Sequence, residues 1–567
     1  MRLSTDGDRD ENLAFETIAA AADAGITVFD TAHAYGHGDN ELGHNESLLA
    51  RALRRCGADK SARIVTKGGM TRTGGGWIPD GRAKAIRADC EESLAALDGL
   101  PIDLYLIHAP DPRTPWRTSV RALARLVDEG VVNRIGLANV NRPQLDEALE
   151  LAPLAAVQVG LSPYDDRALR GRFVEHCTEK GIAVIAHSPL GGPRRAGGLA
   201  RQQALAGVAE THGASPAEVA LAWLLELSPL VVAIPGARHP ETARSAARAA
   251  TLALDEGDRA VLARAFGRPR PARVRRPSLR DGADVVVVMG IPGAGKSRVA
   301  EEYVARGYVR LNRDARAGSL RELADALDEE LSSGALRVVL DNTYLTRAAR
   351  SYVIEAASRH GTPARCVWLD TPLAQAQVNL VERLLERFGA LPAPEEIREL
   401  ARREPGLLMP TSQMRTVREL EPPSTDEGFA QVEQVPFTRT PPHERTRAAV
   451  FVAAPALSHP DWRNAVAKGD RAAPHLLFDW RPDGTLDALA ADVAGLSAEV
   501  SGPVEASLCP HAGGPPSCWC RPPLPGLPIA FARAHGVDPS RSILVGAAPA
   551  HRPLATTLGA QYVPVSP

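Results

Sequence analysis

Short runs of Val, Ile and Leu, each of strand length, alternate along the chain with helix-length segments. Seven such runs are clear in the first 266 residues: Ile26–Asp30, Arg63–Lys67, Asp103–His108, Arg134–Asn139, Ala156–Gly160, Ala183–Ser188 and Val231–Gly236. Strand–helix alternation predicts a parallel sheet, because parallel neighbours need a crossover between them. Eight such units close a (β/α)8 TIM barrel, whose chemistry sits at the C-terminal ends of the strands. Polar residues do end these strands: Asp30, Lys67, His108, Asn139, Gln158 and Ser188. Farther on, Asp284–Met289 is apolar after its first residue and reads as a buried strand, and Ser542–Gly546 reads as another.

Two stretches without apolar periodicity punctuate the pattern. Phe266 to Asp281 holds six arginines and three prolines and reads as a stiff, basic linker. A second break falls near Thr438–Arg447. The chain thus divides into residues 1–266, a linker over 267–282, and pieces over 283–440 and 447–567. Its 567 residues exceed what one hydrophobic core supports, which agrees with several domains. Lys+Arg of 66 against Asp+Glu of 68 excludes a globally basic nucleic-acid coat. No apolar run approaches the roughly 20 residues that cross a bilayer, and no leader pattern opens the chain, so no membrane partner and a cytoplasmic location are expected. Three of the seven cysteines lie between Cys509 and Cys520, a cluster that points to metal rather than to disulfides.

In the first piece, Phe29-Asp30-Thr31-Ala32 with Tyr35-Gly36, then Thr66-Lys67, then Asp103 to His108, resembles the aldo-keto reductase family. The resemblance implies that Tyr35 is the general acid, that Lys67 held by Asp30 lowers the phenol's pKa, and that His108 orients the carbonyl and shares the oxyanion. The alternative makes these residues ordinary polar groups of a barrel rim. The family match also implies a nicotinamide dinucleotide. Asn139 and Gln158 fall where relatives hold the carboxamide, Ser188 and Leu190 in the loop over the pyrophosphate, and Gly236 and Arg238 beyond the last strand. Arg238 favours NADPH over NADH through a 2′-phosphate. His187 stands where many relatives carry an aromatic residue against the nicotinamide, and Ser245-Ala246 replaces their Glu-Asn pair at the adenine. Relatives run a Gly-Leu-Gly strand into the stretch that here begins at Met1, so about half of strand one is expected to be missing.

In the second piece, Gly290-Ile291-Pro292-Gly293-Ala294-Gly295-Lys296-Ser297 follows a strand at once. This is a complete phosphate-binding loop: backbone N–H groups around the β-phosphate, Lys296 across β and γ, Ser297 on Mg²⁺. With Asn312-Arg313-Asp314, Asp341-Asn342-Thr343 and Arg350, it resembles the kinase domain of the polynucleotide kinase family, a doubly wound P-loop α/β fold. The resemblance implies ATP as donor and Asp314 as general base for the acceptor hydroxyl. A helix N-cap is the alternative role for Asp314. Asp341 is placed near Mg²⁺ or holds its loop. Asn379, Arg383 and Arg387 form either a phosphate-clamping lid or a solvated helix face.

The third piece carries Cys509-x-His511-x6-Cys518-x-Cys520, soft ligands in a spacing suited to a closed, structural tetrahedral Zn site. Buried free side chains are the alternative. Together with Gly536 to Ser540 and Ser542 to Gly546, this stretch resembles the zinc-looped, histidinol-phosphatase-like members of the haloacid dehalogenase superfamily, a Rossmannoid α/β fold. Their first strand ends Asp-x-Asp; here Val450-Phe451-Val452 runs into Ala453-Ala454-Pro455. Their last ends Gly-Asp; here it is Gly546-Ala547-Ala548. Pro522 replaces the loop lysine. Phosphatase chemistry is therefore expected to be lost. Taken whole, the chain reads as a bifunctional enzyme that reduces a small-molecule aldehyde or ketone and phosphorylates a hydroxyl acceptor. The alternative is a 5′-hydroxyl kinase acting on nucleic-acid ends with an accessory reductase-like module.

Overall fold

The computed structural model of the chain describes residues 2–267, 282–316, 318–403, 406–438, 445–514 and 516–565. Residues 268–281 of the Arg/Pro stretch lie outside them. The chain forms two compact units, the first built on residues 2–267 together with Arg347–Ser351 and the second on residues 282–346 and 352–565.

The first unit is a nearly closed barrel of seven parallel strands: β1 (Val28–Asp30), β2 (Arg63–Gly68), β5 (Leu104–Ile107), β6 (Ile135–Ala138), β7 (Ala156–Gly160), β8 (Ala183–His187) and β9 (Val231–Ile234), paired in that order. Their register sets Asp30 against Val65 and Gln158 against Ala138, so the polar residues that end the strands share one rim. An antiparallel hairpin, β3 (Met70–Thr73) and β4 (Gly76–Pro79), rises from the end of β2. Gly74 and Gly75 turn it with φ of 56° and 75°, where any Cβ would be strained. The Asp39 carboxylate accepts from both their amides, at 2.6 and 3.1 Å. No long apolar run marks this hairpin in the sequence.

The barrel is open between β1 and β9, each of which has a strand neighbour on one side only. The expected half-strand is not there: Arg2–Thr5 forms a single helical turn, and among the described residues no strand pairs across the gap. Val28 and Val232, on the two edges, are each 39% exposed, unlike the buried central strands. What crosses the opening is helix packing. The Glu11–Asp23 helix, capped by Asp10, lies against the Pro240–Ala249 helix, and Thr17 Oγ1 sits 3.2 Å from the Arg238 carbonyl.

The second unit contains two all-parallel sheets. One comprises β10 (Asp284–Met289), β11 (Val309–Leu311), β12 (Arg337–Asp341), β13 (Ala364–Asp370) and β14 (Gln431–Pro436), in the order β11-β12-β10-β13-β14. The other comprises β15 (Val450–Ala453), β16 (His475–Trp480), β17 (Val504–Cys509), β18 (Ile543–Gly546) and β19 (Gln561–Pro564), in the order β17-β16-β15-β18-β19. In both, the first strand in sequence lies centrally and the order reverses beside it, which opens a crevice at the carboxyl ends. The pieces read as separate from sequence share a core. The Leu373–Phe388 helix buries Leu380, Val381, Leu384 and Leu385 in one cluster with Phe451, Phe478 and Trp519. Among the described residues, no helix is long and apolar enough to cross a membrane.

Candidate functional site

At the barrel rim, Lys67 is completely buried and its Nζ donates to Asp30 Oδ1 at 2.7 Å and to the Thr31 carbonyl at 2.7 Å. Burial disfavours the ammonium, but Asp30 and Tyr35 outweigh it, and the Lys67 pKa ends above its ordinary value. Nζ stands 5.2 Å from the Tyr35 ring centre. For Tyr35 the balance differs from the expectation. Burial pushes the phenol upward more than the Lys67 ammonium pulls it down, so the net direction is up. The phenol therefore keeps its proton. His108 follows β5, its ring 5.6 Å from that of Tyr35, and burial with help from Lys67 and His187 lowers its pKa to about 3. It is a neutral imidazole, and its buried Nδ1 has no hydrogen-bond partner among the described residues.

The neighbouring rim residues join this network. Gln158 Nε2 donates to the second oxygen of Asp30 at 2.7 Å. Asn139, at φ 57°, donates to the His108 carbonyl at 2.9 Å, and its Oδ1 lies 3.1 Å from His187 Nε2. Ser188, at φ 51°, follows β8, and Leu190 packs on the core beyond it. Gly236 has open space where a side chain would stand. Arg238 already has counter-charges, Asp6 and Asp8, each at 3.3 Å. The sequence reading missed Trp77 on the hairpin, whose ring meets Tyr35 edge-on at 5.8 Å and His108 at 6.0 Å, with the Arg72 guanidinium 4.2 Å above it. The run Thr73-Gly74-Gly75-Gly76 before it was the available signal for a turn.

At the end of β10 the loop Gly290–Ser297 wraps into the Lys296–Val304 helix. Gly293, at φ 88°, passes so close to the Ala376 carbonyl that a Cβ would stand 2.4 Å from it. Two side chains brace the loop: Asn379 donates to the Gly293 carbonyl at 2.8 Å, and the buried Gln413, which sequence reading missed, donates to the Pro292 carbonyl at 3.0 Å. Lys296 Nζ donates to the carbonyls of Gly290 and Ile291. Burial, reinforced by Arg383, lowers its pKa to about 8 against the opposing pull of Asp341 and Asp314. Asp314, Asp341 and Arg383 thus each lie within electrostatic reach of Lys296. Asn312, not Asp314, caps the short Arg313–Arg316 helix, its Oδ1 accepting from the Asp314 amide at 2.7 Å. Asp314 itself is exposed. Both Asp341 oxygens accept from Arg310, at 2.9 and 2.6 Å. Ser297 is exposed at the helix start, and the Arg387 guanidinium lies 5.7 Å from the Phe388 ring centre.

In the other sheet of this unit, the ligand atoms of Cys509, His511, Cys518 and Cys520 all lie within 4.8 Å of one another. The three thiols are buried and unbridged, with sulfurs 3.3 and 3.6 Å from Cys509 Sγ and His511 Nδ1 3.1 Å from Cys520 Sγ. At the carboxyl ends of β15 and β18 stand Ala454, Ala547 and Ala548, not carboxylates. His551 fills that end, its Nδ1 accepting from the amides of Ala547 and Ala548 at 3.2 and 3.1 Å.

A model of the aldo/keto reductase family matches residues 1–264, and a model of an AAA domain matches residues 285–404. Aldo-keto reductase str7 of Strobilurus tenacellus is 30% identical over 277 residues, which cover 44% of this chain and 79% of that protein. Probable aldo-keto reductase 1 of Glycine max is 34% identical over 249 residues, 39% of this chain and 69% of that protein. This chain belongs to the aldo/keto reductase family. A crystallised glycerol dehydrogenase from Gluconobacter oxydans is 28% identical, covering 48% of this chain and 91% of that one, at a TM-score of 0.41.

Membership of the aldo/keto reductase family implies NADP(H), and the donor set at the rim suits a dinucleotide. Two side-chain amides, Asn139 and Gln158, stand beside His108 and Asp30, and a hydroxyl and a guanidinium, Ser188 and Arg238, lie beyond the next two strand ends. The P-loop likewise suits a nucleoside triphosphate.

The lowered Lys296 pKa has a consequence for binding. An ammonium holds phosphate only while protonated, so affinity of the free protein for ATP is expected to be full below pH about 8 and to fall as pH rises through it, approaching tenfold per unit above it. Calorimetric titration from pH 7 to 9.5 checks this, with Lys296→Arg expected to abolish the slope. The Cys/His cluster is expected to take up one Zn²⁺ per chain, measured by elemental analysis after dialysis. Cys518→Ser is expected to lose it and to lower the unfolding temperature of the second unit.

Proposed function

We propose that the chain is a bifunctional enzyme: an NADPH-dependent carbonyl reductase in the first unit and an ATP-dependent kinase of a hydroxyl acceptor in the second. The observation that carries the first half is the convergence of Tyr35, Lys67, Asp30 and His108 at one rim, with a phenol that retains its proton. A carbonyl oxygen set between Tyr35 and the neutral His108 receives a hydrogen bond from each. When bound, the dihydronicotinamide supplies hydride to the carbonyl carbon. As negative charge grows on the oxygen, Tyr35 transfers its proton to it, and the phenolate left behind is stabilised by the Lys67 ammonium, which Asp30 holds in place. Trp77 walls the mouth above both rings and favours a substrate with apolar surface next to its carbonyl. Arg238 supports NADPH over NADH, with the 2′-phosphate taking over from Asp6 and Asp8.

In the kinase half, the amides of Gly290–Ser297 and the Lys296 ammonium hold the triphosphate, and Asp314 accepts the proton of the attacking hydroxyl. Ser297, with Asp341 once released from Arg310, would hold Mg²⁺, which neutralises phosphate charge. The Cys509, His511, Cys518 and Cys520 cluster is a structural zinc site, and the third piece has no phosphatase activity, since alanines and His551 stand where its carboxylates belong. The two activities fit one sequence, because reducing an aldehyde creates the alcohol that a kinase phosphorylates.

Carbonyl-dependent NADPH oxidation across an aldehyde and ketone panel tests the reductase. Tyr35→Phe is expected to lower kcat/KM by about 10²–10⁴. The wild-type rate is expected to stay level from pH 6 to 9, because His108 titrates near 3 and Tyr35 above its ordinary value of about 10. An acid limb near neutrality would assign a titrating role to His108 and contradict this scheme.

A further inference from the structure

The third piece lacks the carboxylates of its own proposed ancestry, yet it is packed into the kinase. A cavity of about 570 Å³ opens beside the P-loop, within the size range of small-molecule sites. One side is formed by the loop and the helix it starts, through Ala294, Gly295, Arg298 and Val299, with Phe437 at the end of β14. The opposite side is supplied by the third piece through Ile529, Pro539 and Leu558.

Three features make this a built wall rather than a chance gap. The Leu373–Phe388 helix carries both halves: Asn379 braces the P-loop at Gly293, while Leu380 and Leu384 are buried in the core with Phe451 and Phe478. Gln375, on the same helix, donates to the Thr557 carbonyl at 3.0 Å, next to Leu558. Asp538 Oδ1 accepts from the Ser540 amide at 2.9 Å and pins the turn that presents Pro539. The walls are apolar in Val299, Ile529, Pro539 and Leu558, which suits a flat ring rather than a phosphate. Arg298, exposed and without an ion pair among the described residues, and the Phe437 ring supply planar groups that stack on a base. A triphosphate seated on Gly293–Lys296 must place its non-phosphate end next to Gly295 and Arg298, where the cavity lies.

We infer that the third piece is the far wall of the nucleotide pocket: it closes over the base and ribose of a nucleoside triphosphate, and its Leu558 and Pro539 surface decides which base fits. This rests on the kinase reading above, and the test separates the two. Amide hydrogen exchange of the full chain is compared with MgATP, with magnesium tripolyphosphate, and with neither. ATP is expected to slow exchange around Val537–Arg541 and Ala555–Gly559 at least fivefold, whereas tripolyphosphate protects the P-loop alone. Leu558→Phe, which narrows the cavity from the third-piece side and touches no phosphate-binding group, is expected to weaken ATP at least tenfold by calorimetry and leave tripolyphosphate within twofold. Equal protection of those segments by both ligands, or protection by neither while the P-loop responds to both, overturns the inference and leaves the kinase reading standing. Failure of both ligands to bind overturns the kinase reading and the inference with it.

Discussion

A charge as completely buried as that of Lys67 is tolerable only because the Asp30 carboxylate lies 2.7 Å from it, and much of the first unit follows from that pair. Asp30 is held in turn by Gln158, which ties β1 to β7 across the rim, and the ammonium faces the Tyr35 ring. Lys296 in the second unit is the opposite case. It is half-buried, its hydrogen-bond partners among the described residues are two loop carbonyls, Arg383 further disfavours its charge, and its pKa drops to about 8. The first lysine has its counter-charge built in and, in the proposed reduction, stabilises the phenolate that forms. The second is left short of one, which is the condition for an anion to bind there.

All three large sheets are parallel, so each needs crossovers and each gathers its loops at one end. That is why residues as distant in sequence as Asp30 and Gln158 meet, and why Asp341 lies within electrostatic reach of Lys296. Among the described residues, the barrel keeps this geometry without a closing strand between β1 and β9. The catalytic candidates hang on β1, β2 and β5, which are consecutive in the sheet, while the Glu11–Asp23 and Pro240–Ala249 helices hold the opening together.

Much of this was legible in the sequence, for physical reasons. Buried runs such as Val285–Met289 are apolar throughout, and a phosphate-binding loop needs glycines and a lysine at fixed spacing. The Cys/His cluster was legible too, since its ligands are close in sequence. What escaped reading depends on partners far apart in the chain. Arg310 occupies Asp341 from 31 residues away, and Asp6 and Asp8 reach Arg238 across the whole unit. Trp77 lies on a hairpin of short, half-exposed strands with no apolar run to announce it. The direction of the Tyr35 shift was misjudged because the charge of Lys67 can be read from sequence, whereas the degree of burial that outweighs it cannot. The shared core around Leu384 and Phe478 likewise joins pieces that composition separates.

The most direct test of two chemistries in one chain is phosphoryl transfer from ATP labelled at the γ-phosphate. The acceptors are the alcohols produced by the protein's own carbonyl reductions, offered beside sugars, polyols and 5′-hydroxyl oligonucleotides. The account predicts labelled small-molecule alcohol, lost in Lys296→Ala and in Asp314→Ala and retained in Tyr35→Phe when the alcohol is supplied directly. Label confined to oligonucleotides, or ATP hydrolysed with no acceptor labelled, would contradict it.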